Sequence, residues 1–333
     1  MKSRSMFQTV TVIFVLMLPL VLLAGAPSVA QRQQQESPQG TSAIKLSSTE
    51  PVSLSVTVSD QKGRAITGLK KEDFKVYENG AEQTIVSFSA EDSPISWGLV
   101  LDRSNMRRKI MDDVYHAAFH VISERADRDE AFLVAFDDQV EMVSDFTSDY
   151  AQLLNMLRRV RGGNRAALYD AVAFGLDHIG QGKNRKKALF AITDGGDDGS
   201  KIRFRQLLER ASREGVPAYT VGLTAYTVGV TELQSPRPPR SKGGRWQGEL
   251  KKLAEATGAH AHFPSDMTQC ETAMKAMIEE VSRQYHLEYH SNNPARDGKW
   301  RKVTAVVTRE GEKEAVKVVQ SRTGYYATKK ERR

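Results

Sequence analysis

Cysteine is almost missing from this 333-residue chain: Cys270 stands alone, so no intramolecular disulfide can form. It lies in "MTQCETAMKAMIEEV", an apolar helical pattern that suits a small packing residue. A catalytic thiol needs an activating base, and the sequence assigns none. Missing too is any helix-turn-helix, RNP or finger pattern to accompany the formal charge of +7. Part of that charge is Lys2 and Arg4, part is the terminal "KKERR", and the rest is dispersed. Dispersed charge without a motif reads as solvated surface, which argues against a nucleic-acid partner. The Gly162-Gly163 pair lacks the Lys-Ser/Thr of a phosphate-cradling loop. There is no nucleophile–base–orienter set to imply catalysis, and no repeat of solenoid type.

What is present begins at the N-terminus. Lys2 and Arg4 precede an apolar run over residues 10–23, and "AGAPSVAQ" then places small residues at Ser28 and Ala30. This is the layout of a secretory signal peptide over residues 1–30, cleaved after Ala30. The alternative is an uncleaved membrane anchor, since residues 7–26 nearly reach a spanning length. Either way the chain is expected to be exported to the periplasm, cell envelope or exterior. No Cys follows the apolar run, so a lipoprotein attachment there is excluded. Residues 31–50 are polar and read as a flexible linker.

Two grammars follow. "VSLSVTVSD" alternates apolar and polar residues, as in a half-buried strand, and "FKVYENGAEQTIVSFSA" places two strands around Asn79-Gly80, a hairpin signal. Residues 51–92 are therefore expected to form an N-terminal β unit. From 93 to 283 short continuous apolar runs ("WGLVLD", "AFLVAFD", "KALFAITDG", "PAYTVGL") alternate with helical spacing. That alternation predicts an α/β, Rossmann-like doubly wound, mainly parallel sheet covered by helices on both faces. The insert "QSPRPPRSKGGR" reads as an exposed loop. Residues 284–328 return to strand patterns, and residues 329–333 form a basic tail. One β block alone is marginal, so the C-terminal strands are expected to pack with the N-terminal β unit in a small sandwich. Tyr325 and Tyr326 are expected to pack the last strand into it.

Ligands of open α/β sheets bind beyond the carboxyl ends of the strands. Asp102 and Ser104 follow "GLVL", Asp194 follows "KALFAIT", and "RGGNRAALYDAV" enters a helix nearby. Hard oxygens from several loops suit Mg²⁺ or another divalent cation. The order of "VTVSDQKGRAITGLKKEDFKVYENG", "GLVLDRSNM", "AALYDAV", "ITDGGDD" and "YHLEYHSNNPARDGKWRKVTAVV…GYYA" resembles the von Willebrand factor type A (VWA) family. More narrowly, it is similar to exported bacterial proteins called VWFA-related, best known from acidobacteria. The resemblance runs over about residues 52–327. It implies a metal-ion-dependent adhesion site of the form Asp-x-Ser-x-Ser with a distant Thr and a distant Asp. Those positions fall on Asp102, Ser104, Met106, Ala166 and Asp194. Met106 and Ala166 bring a thioether and a methyl, and neither replaces a hydroxyl for Mg²⁺.

Three readings of this edge stay open. Asp102, Ser104 and Asp194 could bind a metal weakly. A metal-free binding face of Asp102, Arg103, Ser104, Asn105, Arg165 and Asp194 could use arginine to hold a partner's carboxylate. Or Asp102 and Asp194 could be structural caps. Elsewhere, the acidic "TDGGDDGSK" lacks EF-hand spacing and reads as a solvated turn. His260 and His262 share a strand face without a third ligand for zinc, and Asp170 is expected to orient a neighbouring loop. The resemblance implies a non-enzymatic module that binds a protein or cell-envelope component. The rivals are a metal-dependent hydrolase on Asp102, Asp194 and Asp197, or a structural envelope component.

Overall fold

The computed structural model describes residues 51–62, 64–104, 108–123, 126–161, 163, 165–193, 195–223, 244–308 and 318–328. The expected signal segment, linker and basic tail lie outside the described residues. So do most of the Pro/Arg-rich insert, Asn105, Met106, Asn164 and Asp194.

Strands that are apolar on both faces need cover on both faces. β5 (Ile95–Asp102) is buried at every position, as are β6 (Glu130–Phe136) and β9 (Ala218–Gly222), and β8 (Lys186–Thr193) nearly so. These four form the middle of a six-stranded sheet that also contains β7 (Val140–Thr147) and β10 (Ala261–His262). Its order is β10-β9-β8-β5-β6-β7. All neighbours are parallel except the edge pair β6–β7.

The helices divide between the two faces. α1 (Arg108–Ser123), α2 (Tyr150–Leu157) and α6 (Met267–Ser282) pack on one side, with Ile122, Leu153, Met274 and Met277 against Leu99, Leu101 and Phe190. α3 (Leu168–Ile179), α4 (Phe204–Glu214) and α5 (Arg245–Thr257) pack on the other, with Val172, Leu207 and Leu250 joining Val100, Phe132 and Leu189. The side chains of β5 thus alternate between two cores, as the strand period of two requires. Cys270 is buried in the first of them.

The remaining strands make two four-stranded antiparallel sheets. One has the order β13-β1-β11-β4 and the other β14-β12-β2-β3. Their members are β1 (Val52–Ser59), β2 (Phe74–Glu78), β3 (Ala81–Gln83), β4 (Ile85–Ser89), β11 (Tyr285–Tyr289), β12 (Trp300–Val307), β13 (Val318–Gln320) and β14 (Gly324–Tyr326). Strands from before and after the α/β unit therefore pair directly: β1 with β11, and β2 with β12. One face of each sheet supplies a shared core of Leu54, Val56, Val76, Leu287, Val303 and Ala305. Asn79 and Gly80 both have positive φ, +48° and +86°, which is the backbone of the tight turn joining β2 to β3. Tyr325 packs inward, but Tyr326 is exposed beside Trp300, because adjacent strand residues cannot share a face. That corrects the expectation that both tyrosines pack.

Two buried cations tie the β unit to the α/β unit. Lys186 Nζ donates to the carbonyls of Glu91 (2.7 Å) and Ser282 (3.0 Å), and burial pushes its pKa down to about 8. Arg322 is 2% exposed and donates to the Ser212 carbonyl (2.8 Å) in the last turn of α4. A cation is favoured there by the helix dipole. Burial lowers the Arg322 pKa to about 10, and the guanidinium lies over the Tyr325 ring.

Candidate functional site

The strand order reverses between β5 and β8: the chain leaves β5 for β6 on one side and later returns to β8 on the other. Crevices in open α/β sheets form at such a switch point, beyond the carboxyl ends. β5 ends in Asp102 and β8 ends in Thr193, so the register places two polar side chains at the reversal. Both are fully buried.

Asp102 is held from several directions. Its Oδ1 accepts from the backbone N–H (2.8 Å) and the hydroxyl (2.6 Å) of Ser104. Its Oδ2 accepts from the Thr193 hydroxyl at 2.6 Å, and Thr193 Oγ1 in turn accepts from the Gly195 N–H at 3.0 Å. Thr193 was not among the expected site residues. Its sequence signal is a single hydroxyl residue closing the apolar run over residues 188–192, directly before Asp194.

The loops around this knot are stitched together. Ser104 forms a parallel bridge with Gly163, whose N–H donates to the Arg103 carbonyl at 2.7 Å. A β-carbon on Gly163 would lie 1.9 Å from Asp137 Oδ2, so only glycine lets Asp137 sit here. Asp137 and Glu141 receive the guanidinium of Arg103, at 3.3 and 2.5 Å. Arg103 is therefore committed to the chain's own carboxylates and largely buried.

Across the edge, Asp198 Oδ1 accepts from the Ala166 N–H (2.9 Å), and the Ala166 carbonyl accepts from the N–H groups of Asp198 and Gly199. Arg165 donates to the Asp198 carbonyl while its side chain stays 61% exposed. Asp197 Oδ1 accepts from the Ser200 hydroxyl (2.5 Å) and the Tyr169 N–H (3.3 Å). Burial raises the Asp197 carboxyl, against the pull of those hydrogen bonds. Asp170 accepts from the N–H groups of Lys201 (2.9 Å) and Ile202 (3.1 Å), so it does orient the neighbouring loop. The acidic loop is an exposed turn at Asp198 and a half-buried one at Asp197, and both aspartates are also tied to the backbone before α3 or in its first turn. Its carboxylates satisfy backbone donors at the start of α3, where negative charge is stabilised.

A Mg²⁺ shell needs several hard oxygens free to face the ion. Of the five expected positions, Asp102, Ser104 and Ala166 are described. Asp102 already takes three donors, Ser104 offers one hydroxyl, and Ala166 offers a methyl with its carbonyl occupied. These residues do not build a shell by themselves. Among the described residues no three His, Cys, Asp or Glu side chains converge on a common point. His260 and His262 stand with ring centroids 6.5 Å apart. His260 faces Glu280 at 3.6 Å and Gln320 at 2.8 Å.

No curated protein matches this sequence. Among solved structures, a von Willebrand factor type A protein from Catenulispora acidiphila aligns at 12% identity and a TM-score of 0.46, over 84% of this chain and 74% of its own. The conserved hypothetical protein BatB from Bacteroides thetaiotaomicron aligns at 16% identity and 0.45, over 56% and 97%. The vWF domain of the type V pili tip protein Mfa5 from Porphyromonas gingivalis gives 11% and 0.40, over 56% and 95%. Residues 98–196, which run from β5 through the switch point to the loop after β8, match the family model described as von Willebrand factor type A domain, and the α/β unit of this chain is a domain of that fold.

Proposed function

We propose that this chain is an exported, non-enzymatic interaction module of the VWFA-related, acidobacterial type. It binds a protein or envelope partner through the strand-end face of its VWA domain, with metal dependence weak or lost. The observation that carries this reading is the state of the switch-point edge. Asp102, Ser104 and Thr193 saturate one another beneath this edge and fix its loops, while Arg165 stays exposed on it, 3.9 Å from Asp198. A rigid edge with an exposed guanidinium suits recognition of a carboxylate-bearing surface. The losses at Met106 and Ala166 favour contact without a bridging ion.

Two measurements test it. Crosslinking pulldown from envelope fractions should recover specific partners with the wild type and lose them with Arg165→Glu. Because that residue is exposed, its stability should change by no more than about 0.5 kcal/mol. Partners that survive the charge reversal would exclude this face. Calorimetry with Mg²⁺ or Mn²⁺ should show no binding tighter than about millimolar. Micromolar binding abolished by Asp102→Ala would restore the metal to the mechanism.

A further inference from the structure

The amino-terminal end of the same sheet has a cleft that the proposed function does not use. The turn from α3 to β8, the turn from α4 to β9 and the outer face of the β1–β11 pair enclose about 370 Å³. That volume lies in the range of small-molecule sites, roughly 300–1,000 Å³.

The strand period decides what the sheet contributes. β1 sends Val52, Leu54 and Val56 to the core and turns Ser53 and Ser55 toward the cleft. β11 does the same with Tyr285, Leu287 and Tyr289 inward and His286 and Glu288 outward. Four cationic side chains complete the lining, Lys183, Arg185, Lys187 and Arg213, against two carboxylates, Glu214 and Glu288.

Two of the cations are already paired, Lys183 with Glu130 (3.6 Å) and Arg185 with Glu288, and the other two are not. Glu288 is already faced by His286 (3.4 Å) and Arg185 (3.9 Å), and the His286 hydrogen bond holds its carboxyl below the usual range. Lys187 Nζ donates to the carbonyls of Gly182 (2.6 Å) and Asn184 (2.8 Å) and forms no ion pair among the described residues. Arg213, at the exposed end of α4, has no ion pair among them either.

His286 supplies the independent sign of a ligand. The residue is 6% exposed, its Nε2 faces Glu288, and its buried Nδ1 has no hydrogen-bond partner. Buried polar atoms are normally satisfied, so an unpaired nitrogen in the wall of a polar cleft asks for a further partner.

We propose that this cleft binds a small molecule bearing anionic oxygens, a phosphate ester or a carboxylate. Arg213 and Lys187 meet its charge and Ser53 and Ser55 donate their hydroxyls. His286 lines the same wall beside Glu288. The strand-end face is not involved, so this site and the partner face stand or fall separately.

Calorimetric titration of the protein with inorganic phosphate, and separately with citrate, at constant ionic strength tests the proposal. The expected result is saturable one-to-one binding of at least one of them. Arg213→Ala weakens it about tenfold or more, the loss of a charge-assisted hydrogen bond, while Arg165→Ala leaves it unchanged. Tighter binding of phosphate assigns the phosphate ester, and tighter binding of citrate assigns the carboxylate. Arg213 is exposed and free of ion pairs, so its variant reads binding and not folding. Absence of saturable binding by both anions, or equal binding by wild type and Arg213→Ala, overturns it.

Discussion

The two ends of the central sheet solve the same problem in opposite ways. Both must place charged groups where strands end and backbone polar groups lose their ladder partners. At the carboxyl end the chain pairs its charges internally: Asp102 with two hydroxyls, Arg103 with Asp137 and Glu141, and Asp198 with the loop at Ala166. At the amino end the exposed Lys183 and Arg185 pair with Glu130 and Glu288, but the more buried cations meet carbonyls. Lys186 is held by Glu91 and Ser282, Lys187 by Gly182 and Asn184, and Arg322 by Ser212. Carbonyl partners satisfy hydrogen bonds without neutralising charge. The first end is consequently a closed edge, and the second is a joint beside a cleft.

The largest expected effect breaks the joint. Arg322→Met leaves the Ser212 carbonyl without its donor and removes the cation from the end of α4, and should cost about 2–4 kcal/mol of stability. Urea unfolding midpoints measure it, with the half-exposed Arg283→Met as a control expected to move by no more than about 0.5 kcal/mol. Equal midpoint shifts in the two variants would mean that Arg322 is not a clamp.

Next comes the closed edge. Asp102→Ala strands the hydroxyls of Ser104 and Thr193 in a buried site and should cost about 1–3 kcal/mol. Asp102→Asn keeps an acceptor oxygen and should cost less. If alanine and asparagine are equally harmless in thermal unfolding, the closed network does not hold this edge together.

The last comparison distinguishes the ends by pH. Lys186 has a folded pKa of about 8 against an ordinary 10.5, so between those values the unfolded chain binds more protons. Stability contributed by this group therefore rises with pH across that window. The stability of Lys186→Met relative to wild type should be highest below pH 8 and decline toward pH 10.5. A difference that stays flat across the window would show that the buried ammonium does not titrate there.

The sequence carried much of the scaffold because its patterns are local. Continuous apolar runs mark β5, β6, β8 and β9, alternation marks β1 and β12, and Asn79-Gly80 marks the β2–β3 turn. The candidate site was legible as a location, since Asp102 and Ser104 follow a buried strand. Its state was not legible. Thr193 reaches Asp102 across 91 positions, Arg103 reaches Glu141 across 38, and Ala166 meets Asp198 across 32. No local pattern encodes which carboxylate an arginine will choose. The acidic loop hides the same kind of information: its sequence does not show that Asp197 and Asp198 accept from the backbone at Tyr169 and Ala166.

Residue order alone determined the alternation of strands and helices, the hairpin and the polar residues that close β5 and β8, because these depend on backbone period and turn chemistry. Tertiary structure alone decided that Asp102 would be saturated, that Arg103 would face inward, and that a cleft bordered by Arg213, Lys187 and His286 would open at the other end. Those outcomes depend on which distant groups arrive within about 3 Å of one another, where hydrogen bonds form.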